Sequence, residues 1–203
     1  MSDVFFSGDH HFWHSNIILY CKRPWLQEGD IDERGRWVSE EIKKQRGIEM
    51  TEDLIANWNS VVKPEDTVYH VGDFVLSKDR IAIERLIKRL NGKIHLVLGN
   101  HDKSAVQKAR GFESITGKHQ GSMIRVYKQD IFLSHYAMRV WDRSHFGIWN
   151  LFGHSHGKLP EFDNVLAFDV GVDAWNYYPV SFGQVKAKMD TKTFIPINKR
   201  SRK

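Results

Sequence analysis

Ile94-His95-Leu96-Val97-Leu98 runs straight into Gly99-Asn100-His101-Asp102. A short, wholly apolar run that stops at a glycine suits a parallel strand buried on both faces, and the amide, imidazole and carboxylate that follow then sit at its carboxyl end. The same arrangement recurs four times. Val4 to Ser7 leads into Gly8-Asp9-His10-His11, Thr67 to Val71 into Gly72-Asp73, Ile131 to Ser134 into His135, and Ile148 to Phe152 into Gly153-His154-Ser155-His156. In an open α/β sheet such ends converge on one crevice, so these groups, distant in sequence, are expected to be neighbours.

A chain of 203 residues can bury one substantial core. We expect a single domain over 1–198 and a basic tail at 199–203. Lys199, Arg200, Arg202 and Lys203 carry four of the net +5 charges, which leaves the body close to neutral and the tail able to add only weak, salt-sensitive attraction to polyanions. The single cysteine, Cys21, excludes an internal disulfide. Neither a leader nor an apolar stretch of roughly 18 residues is expected, so the predicted setting is soluble, cytoplasmic and without a membrane partner. Eleven histidines are the more telling number, because imidazole is the commonest metal ligand and a ready proton carrier.

In order along the chain, Val4-Phe5-Phe6 reads as a covered strand, and His14, Ile17 and Ile18 as a short helix stopped at Arg23-Pro24-Trp25. Gln27 to Trp58 offers two helices, one carrying Trp37, Val38, Glu41 and Ile42, the other capped by Thr51 and carrying Leu54, Ile55 and Trp58. A strand from Thr67, a helix opened by Ser77 and stopped at Asn91-Gly92, and the Ile94 strand make a βαβ unit. Ser104 to Arg110 reads as a short helix. Met123 to Tyr127 and Ile131 to Ser134 form a hairpin about Lys128-Gln129-Asp130, Ala167 to Val170 is a buried strand, Ser181 caps a last helix, and Thr193 to Ile197 closes the sheet.

The ordered series Asp9-x-His11, Gly72-Asp73, Gly99-Asn100-His101-Asp102, His135 and Gly153-His154-Ser155-His156 resembles the calcineurin-like metallophosphoesterase superfamily. Asp9 to Ile18, Cys21-Lys22-Arg23-Pro24, Val68 to Phe74 and Asp169-Val170-Gly171-Val172-Asp173 are similar to a branch of small bacterial and phage phosphoesterases. The resemblance implies a four-layer α/β/β/α sandwich, two mixed sheets flanked by helices, holding two divalent ions about 3.5 Å apart. It implies that Asp9, His11, Asp73 and His156 hold one ion and Asp73, Asn100, His135 and His154 the other, with Asp73 bridging. This mixed ligand set suits Mn²⁺ first, with Fe²⁺, Zn²⁺ or Ni²⁺ as alternatives. A hydroxide bridging the ions would attack phosphorus, with His101 beside the leaving oxygen and Asp102 orienting its ring.

Candidate substrate contacts are His14, Arg23, Arg139, Trp141 and His145. An arginine fork matches phosphate oxygens and a tryptophan can stack on a ring, although His14 also fits as a packed ring and Arg23 as a carboxylate partner. The expected activity is hydrolysis of a small, nucleotide-type phosphodiester, because the near-neutral body offers no basic cluster for a doubly charged monoester. Phosphomonoester hydrolysis is the alternative. A nuclease, and a metal-bound scaffold without turnover, rank lower, and nucleic acid is accordingly not the favoured partner.

Overall fold

The computed structural model describes residues 2–117 and 120–195; the basic tail at 199–203 lies outside them. Two mixed sheets are flanked by helices. In the first sheet, β1 (Val4–Ser7), β2 (Thr67–His70), β3 (Lys93–Val97) and β4 (Ser114–Thr116) run parallel, with the antiparallel β9 (Val180–Ser181) beside β1, in the order β4-β3-β2-β1-β9. In the second, β5 (Ser122–Val126) and β6 (Gln129–Leu133) form a hairpin, and β7 (Trp149–Phe152) and β8 (Ala167–Asp169) continue it in parallel.

Alternation along the strands divides the core. Phe6 and Val97 join Ile131, Leu133, Leu151 and Phe168 between the sheets, whereas Phe5, Val68, Ile94 and Leu96 face the helices. There they meet Ile17 and Ile18 of α1 (Ser15–Cys21), Met50, Leu54 and Trp58 of α2 (Glu40–Val61), and Ile83 and Leu86 of α3 (Arg80–Ile87). A fully buried side chain of this size contributes about 1.5–3 kcal/mol, so the helical layer holds β1, β2 and β3 in place, and with them the three loops at their carboxyl ends. The helix after β9, α5 (Phe182–Asp190), starts at a capping box between Ser181 and Gln184 and buries Val185 and Met189.

Several local expectations are corrected. In place of two helices over 27–58 there is one, the 22-residue α2, which runs on to Val61 and is capped by Ser39 through Ile42 N. Thr51 is buried inside it, its hydroxyl donating to Gly47 O and accepting from Trp13 N, so a residue with a cap's chemistry is used for packing instead. Asp79, not Ser77, caps α3, accepting from Ile81 N and Ala82 N, and that helix ends at Ile87 while Leu90 is still buried. The helix from Ser104 stops at Gln107 (α4, Ser104–Gln107). The hairpin turns more tightly than expected, on Tyr127 and Lys128 alone, both at positive φ (46° and 73°), the conformation that matches strand twist. Thr193 to Ile195 form no named strand, although Thr193 N and Ile195 N donate to Asp163 O and Asn164 O; Pro196 and Ile197 lie outside the described residues.

Candidate metal centre

The carboxyl ends of β1, β2, β3, β6 and β7 open at one place. Asp9, His11, Asp73, His154 and His156 all have φ between 49° and 66°, left-handed values that cost a non-glycine residue about 1 kcal/mol or more. The tight turns bring their side chains into the crevice. Asp9, His11 and His156 offer donor atoms within 4.8 Å of one another, and so do Asp73, His135 and His154. Asp73 Oδ2 lies between the groups, 3.5 Å from His11 Nε2 and 3.4 Å from His135 Nε2.

The surroundings decide which atoms face inward. His135 Nδ1 is 2.8 Å from the Val71 carbonyl, which fixes the proton there and leaves Nε2 as the free lone pair. That Nε2 lies 2.9 Å from Asn100 Oδ1; two lone pairs this close repel unless a proton or a cation sits between them. His156 is held in the same way, its Nδ1 2.7 Å from Asp173 Oδ2. Asp9 Oδ2 accepts from His154 N at 2.7 Å, but Asp9 Oδ1 and His11 Nε2 are buried without a hydrogen-bond partner. Buried orphans are costly, and these two belong to one group of donors. Oxygen and nitrogen atoms in this mixture fit divalent transition ions.

Electrostatics agree with an uncompensated site. Burial pushes the Asp9 carboxyl up to about 7 and holds His11 well below the usual imidazole range. For Asp73 burial acts upward, but His135, His11 and the His101 amide overcome it and hold the carboxyl below the usual range. Burial acts downward on His135 and His156; Asp73 outweighs it at His135, and Asp173, Cys21 and Asp9 bring His156 to about 10.

Two glycines are required by close approach. A Cβ on Gly99 would lie 2.2 Å from Asp73 Oδ1 and 2.4 Å from Asp73 N. Gly72 has φ 103°, and a Cβ there would lie 2.7 Å from His135 Nδ1. The Gly72 amide donates to His70 Nδ1 at 3.2 Å, so the His70 proton is on Nε2, which faces His10 Nδ1 at 2.9 Å. This fully buried pair braces the loop and stands outside the candidate donor groups.

The remaining predicted residues divide. The His101 ring is 5.2 Å from that of His11 and 6.0 Å from that of His14, so both line the crevice. Asp102 does not orient His101. It is buried and accepts from Asp73 N, Phe74 N and Gly99 N, clamping two loops together; three amide donors satisfy it better than one ring could. Arg23 is 1% exposed and cannot touch a substrate. Its guanidinium grips both Asp173 oxygens (2.9 and 2.7 Å) and donates to Asp9 O and His10 O. Trp141 is buried with Ile148, Phe152 and Ala167, its Nε1 donating to Ile148 O, so it has no free face for stacking. His145 lies against Phe146 beside a separate hollow with Trp141 and Phe194. Arg139 is exposed on the segment after His135.

Two supporting carboxylates were not assigned from the sequence. Asp169 accepts from Ser155 Oγ, Gly157 N and Gly171 N, fastening the turn that carries His154 and His156. Asp173 links that turn to Arg23. The signal was the Asp169-Val170-Gly171-Val172-Asp173 run, where two carboxylates flank a glycine after a buried strand.

The profile of the calcineurin-like phosphoesterase family matches residues 3–191. An uncharacterized protein of Methanocaldococcus jannaschii, MJ1445, is 33% identical over 187 residues, 89% of this chain and 88% of that one. Among solved structures, the protein of unknown function AQ665 from Aquifex aeolicus superposes with a TM-score of 0.61 at 24% identity, covering 93% of this chain and 100% of its own, a likeness of fold. A novel archaeal phosphodiesterase superposes at 0.42 with 18% identity over 83% of each chain, too loosely for its substrate to bear on this one.

Proposed function

Because the chain belongs to the calcineurin-like phosphoesterase family, whose members act on phosphoesters, we propose that it is a binuclear metal-dependent phosphodiesterase. The observation that carries this reading is Asp73 Oδ2 lying between His11 Nε2 and His135 Nε2 at 3.5 and 3.4 Å. Asp9, His11, His156 and Asp73 would hold one ion; Asp73, Asn100, His135 and His154 the other. Mn²⁺ suits this set best, with Fe²⁺, Zn²⁺ or Ni²⁺ as alternatives. Bound there, such ions would lower the pKa of a coordinated water and neutralise phosphate charge.

The chain's own residues do the rest. The Val71 carbonyl and Asp173 hold the Nδ1 protons of His135 and His156, so each ring presents Nε2. Asp102 ties the Gly99 loop to the Asp73 loop, setting His101 beside the crevice, where its imidazole donates a proton to the leaving oxygen. His14, its Nδ1 3.3 Å from His11 Nδ1, borders the same space. Imidazoles rather than an arginine surround the reacting position, since Arg23 is turned away to Asp173, and this favours a singly charged diester of nucleotide type over a monoester. The single cysteine supports a reducing, cytoplasmic setting, and no helix among the described residues is long and apolar enough to cross a membrane.

The test is turnover of bis-p-nitrophenyl phosphate against p-nitrophenyl phosphate by the Mn²⁺-loaded protein, with elemental analysis of bound metal. Faster diester turnover and two ions per chain are expected. A strong monoester preference would remove the diester assignment, and inactivity with every metal would remove the enzymatic one.

A further inference from the structure

The body of the chain is nearly neutral in sum but not in distribution. Lys78 and Arg80, at the start of α3, and Lys103 and Lys108, on either side of α4, surround a hollow of 300 Å³ whose other walls are Ser104 and Ala105. No carboxylate lines it. Among the described residues only Arg80 of these four has an ion-pair partner, Glu84 at 3.6 Å. Asp79, the acid between Lys78 and Arg80, has Oδ1 engaged as the cap of α3.

Four like charges around a cavity repel one another, and a multiply charged anion placed among them relieves that repulsion. The hollow also borders the loop that carries Asn100 and His101. Lys103 lies two residues beyond His101, and its ammonium donates to the Asn100 carbonyl at 3.2 Å.

Resting on the phosphodiesterase reading above, we propose that this hollow receives a second phosphate group of the substrate, distinct from the phosphorus under attack. The residues lining the hollow are separate from the candidate metal donors, so the four cations would add an anchor of their own. The substrate class is thereby narrowed to diesters bearing a further phosphate. That phosphate belongs either to a mononucleotide or to the next link of an oligonucleotide; the chemistry recognised is the same.

Lys78 and Lys108 are exposed, so Lys78→Gln with Lys108→Gln leaves the packing untouched. Calorimetric titration of inorganic tripolyphosphate into the full-length, metal-free protein at low salt is expected to show binding that weakens about tenfold in the double variant, a difference that shrinks as salt rises. With Mn²⁺, the p-nitrophenyl ester of thymidine 5′-phosphate is compared with the same ester bearing a 3′-phosphate. A kcat/KM advantage of about tenfold for the latter, lost in the double variant, supports the proposal. Extension to a short oligothymidylate identifies the source: further gain with each nucleotide points to nucleic acid, no gain beyond the first phosphate to a mononucleotide. Equal kcat/KM for the two esters in the native protein overturns the proposal, as does tripolyphosphate binding unchanged by the substitutions. If neither ester is hydrolysed, the phosphodiesterase reading fails, and the calorimetric arm still judges the hollow.

Discussion

Replacing Arg23 with methionine separates two roles that an arginine in this position can have. Its side chain is buried, and it donates to both oxygens of Asp173, to Asp9 O and to His10 O at 2.6 to 2.9 Å. Methionine fills a similar volume but leaves a carboxylate that is only 7% exposed without its main counter-charge. Stranding one member of a buried pair costs about 3–5 kcal/mol. His156, bonded to the same carboxylate, keeps the loss near the lower end, at about 3 kcal/mol. For a chain of this length that lowers Tm by roughly 6–12 °C. Urea unfolding followed by circular dichroism measures it, and the double variant Arg23→Met with Asp173→Asn, which removes the stranded charge, should recover about 1–2 kcal/mol. A substrate-contacting arginine predicts the opposite pattern: native stability and a raised KM. A loss below about 1 kcal/mol, or a double variant less stable than the single one, would refute the buried-clamp account.

Asp73→Asn should lower the bound divalent metal seen by elemental analysis, whereas His101→Ala should keep the metal and lose about 10²–10⁴ in kcat; full metal content in the first variant would contradict the bridging role. Gly99→Ala places a methyl 2.4 Å from Asp73 N, an atom already held by Asp102, and should cost about 1–3 kcal/mol in urea titrations and weaken metal retention; a neutral effect would show that the loop can give way. Burial lowers His70 to about 3, so between pH 6.5 and about 3 the unfolded chain binds a proton there that the folded one does not, and stability falls as pH falls. The native protein should therefore lose about 2–3 kcal/mol more than His70→Gln on going from pH 6 to pH 4, and parallel stability profiles would refute this.

Much of the architecture was legible locally. Each loop of the crevice is announced by a short apolar run ending in polar groups, because a buried strand must be apolar along its length and can be polar only where it leaves the sheet. The helical segment from 27 to 58 was less legible. Thr51 has the chemistry of a cap, but packing against Trp13 and Gly47 O placed it inside a helix. Asp102 follows His101 directly, which suggested that it orients that ring; the fold instead puts three amides within reach of its carboxylate.

By itself the amino-acid order determined which chemical groups the chain owns, and that its strands would end in side chains of the kind that can bind a metal. The tertiary structure alone decided that Arg23 supports Asp173 rather than a substrate, that Asp73 stands between two imidazoles, and that four scattered cations share one hollow. The physical reason is that a side chain's chemistry is a local property, whereas its burial and its partners depend on the approach of segments as far apart as Arg23 and Asp173, 150 residues away.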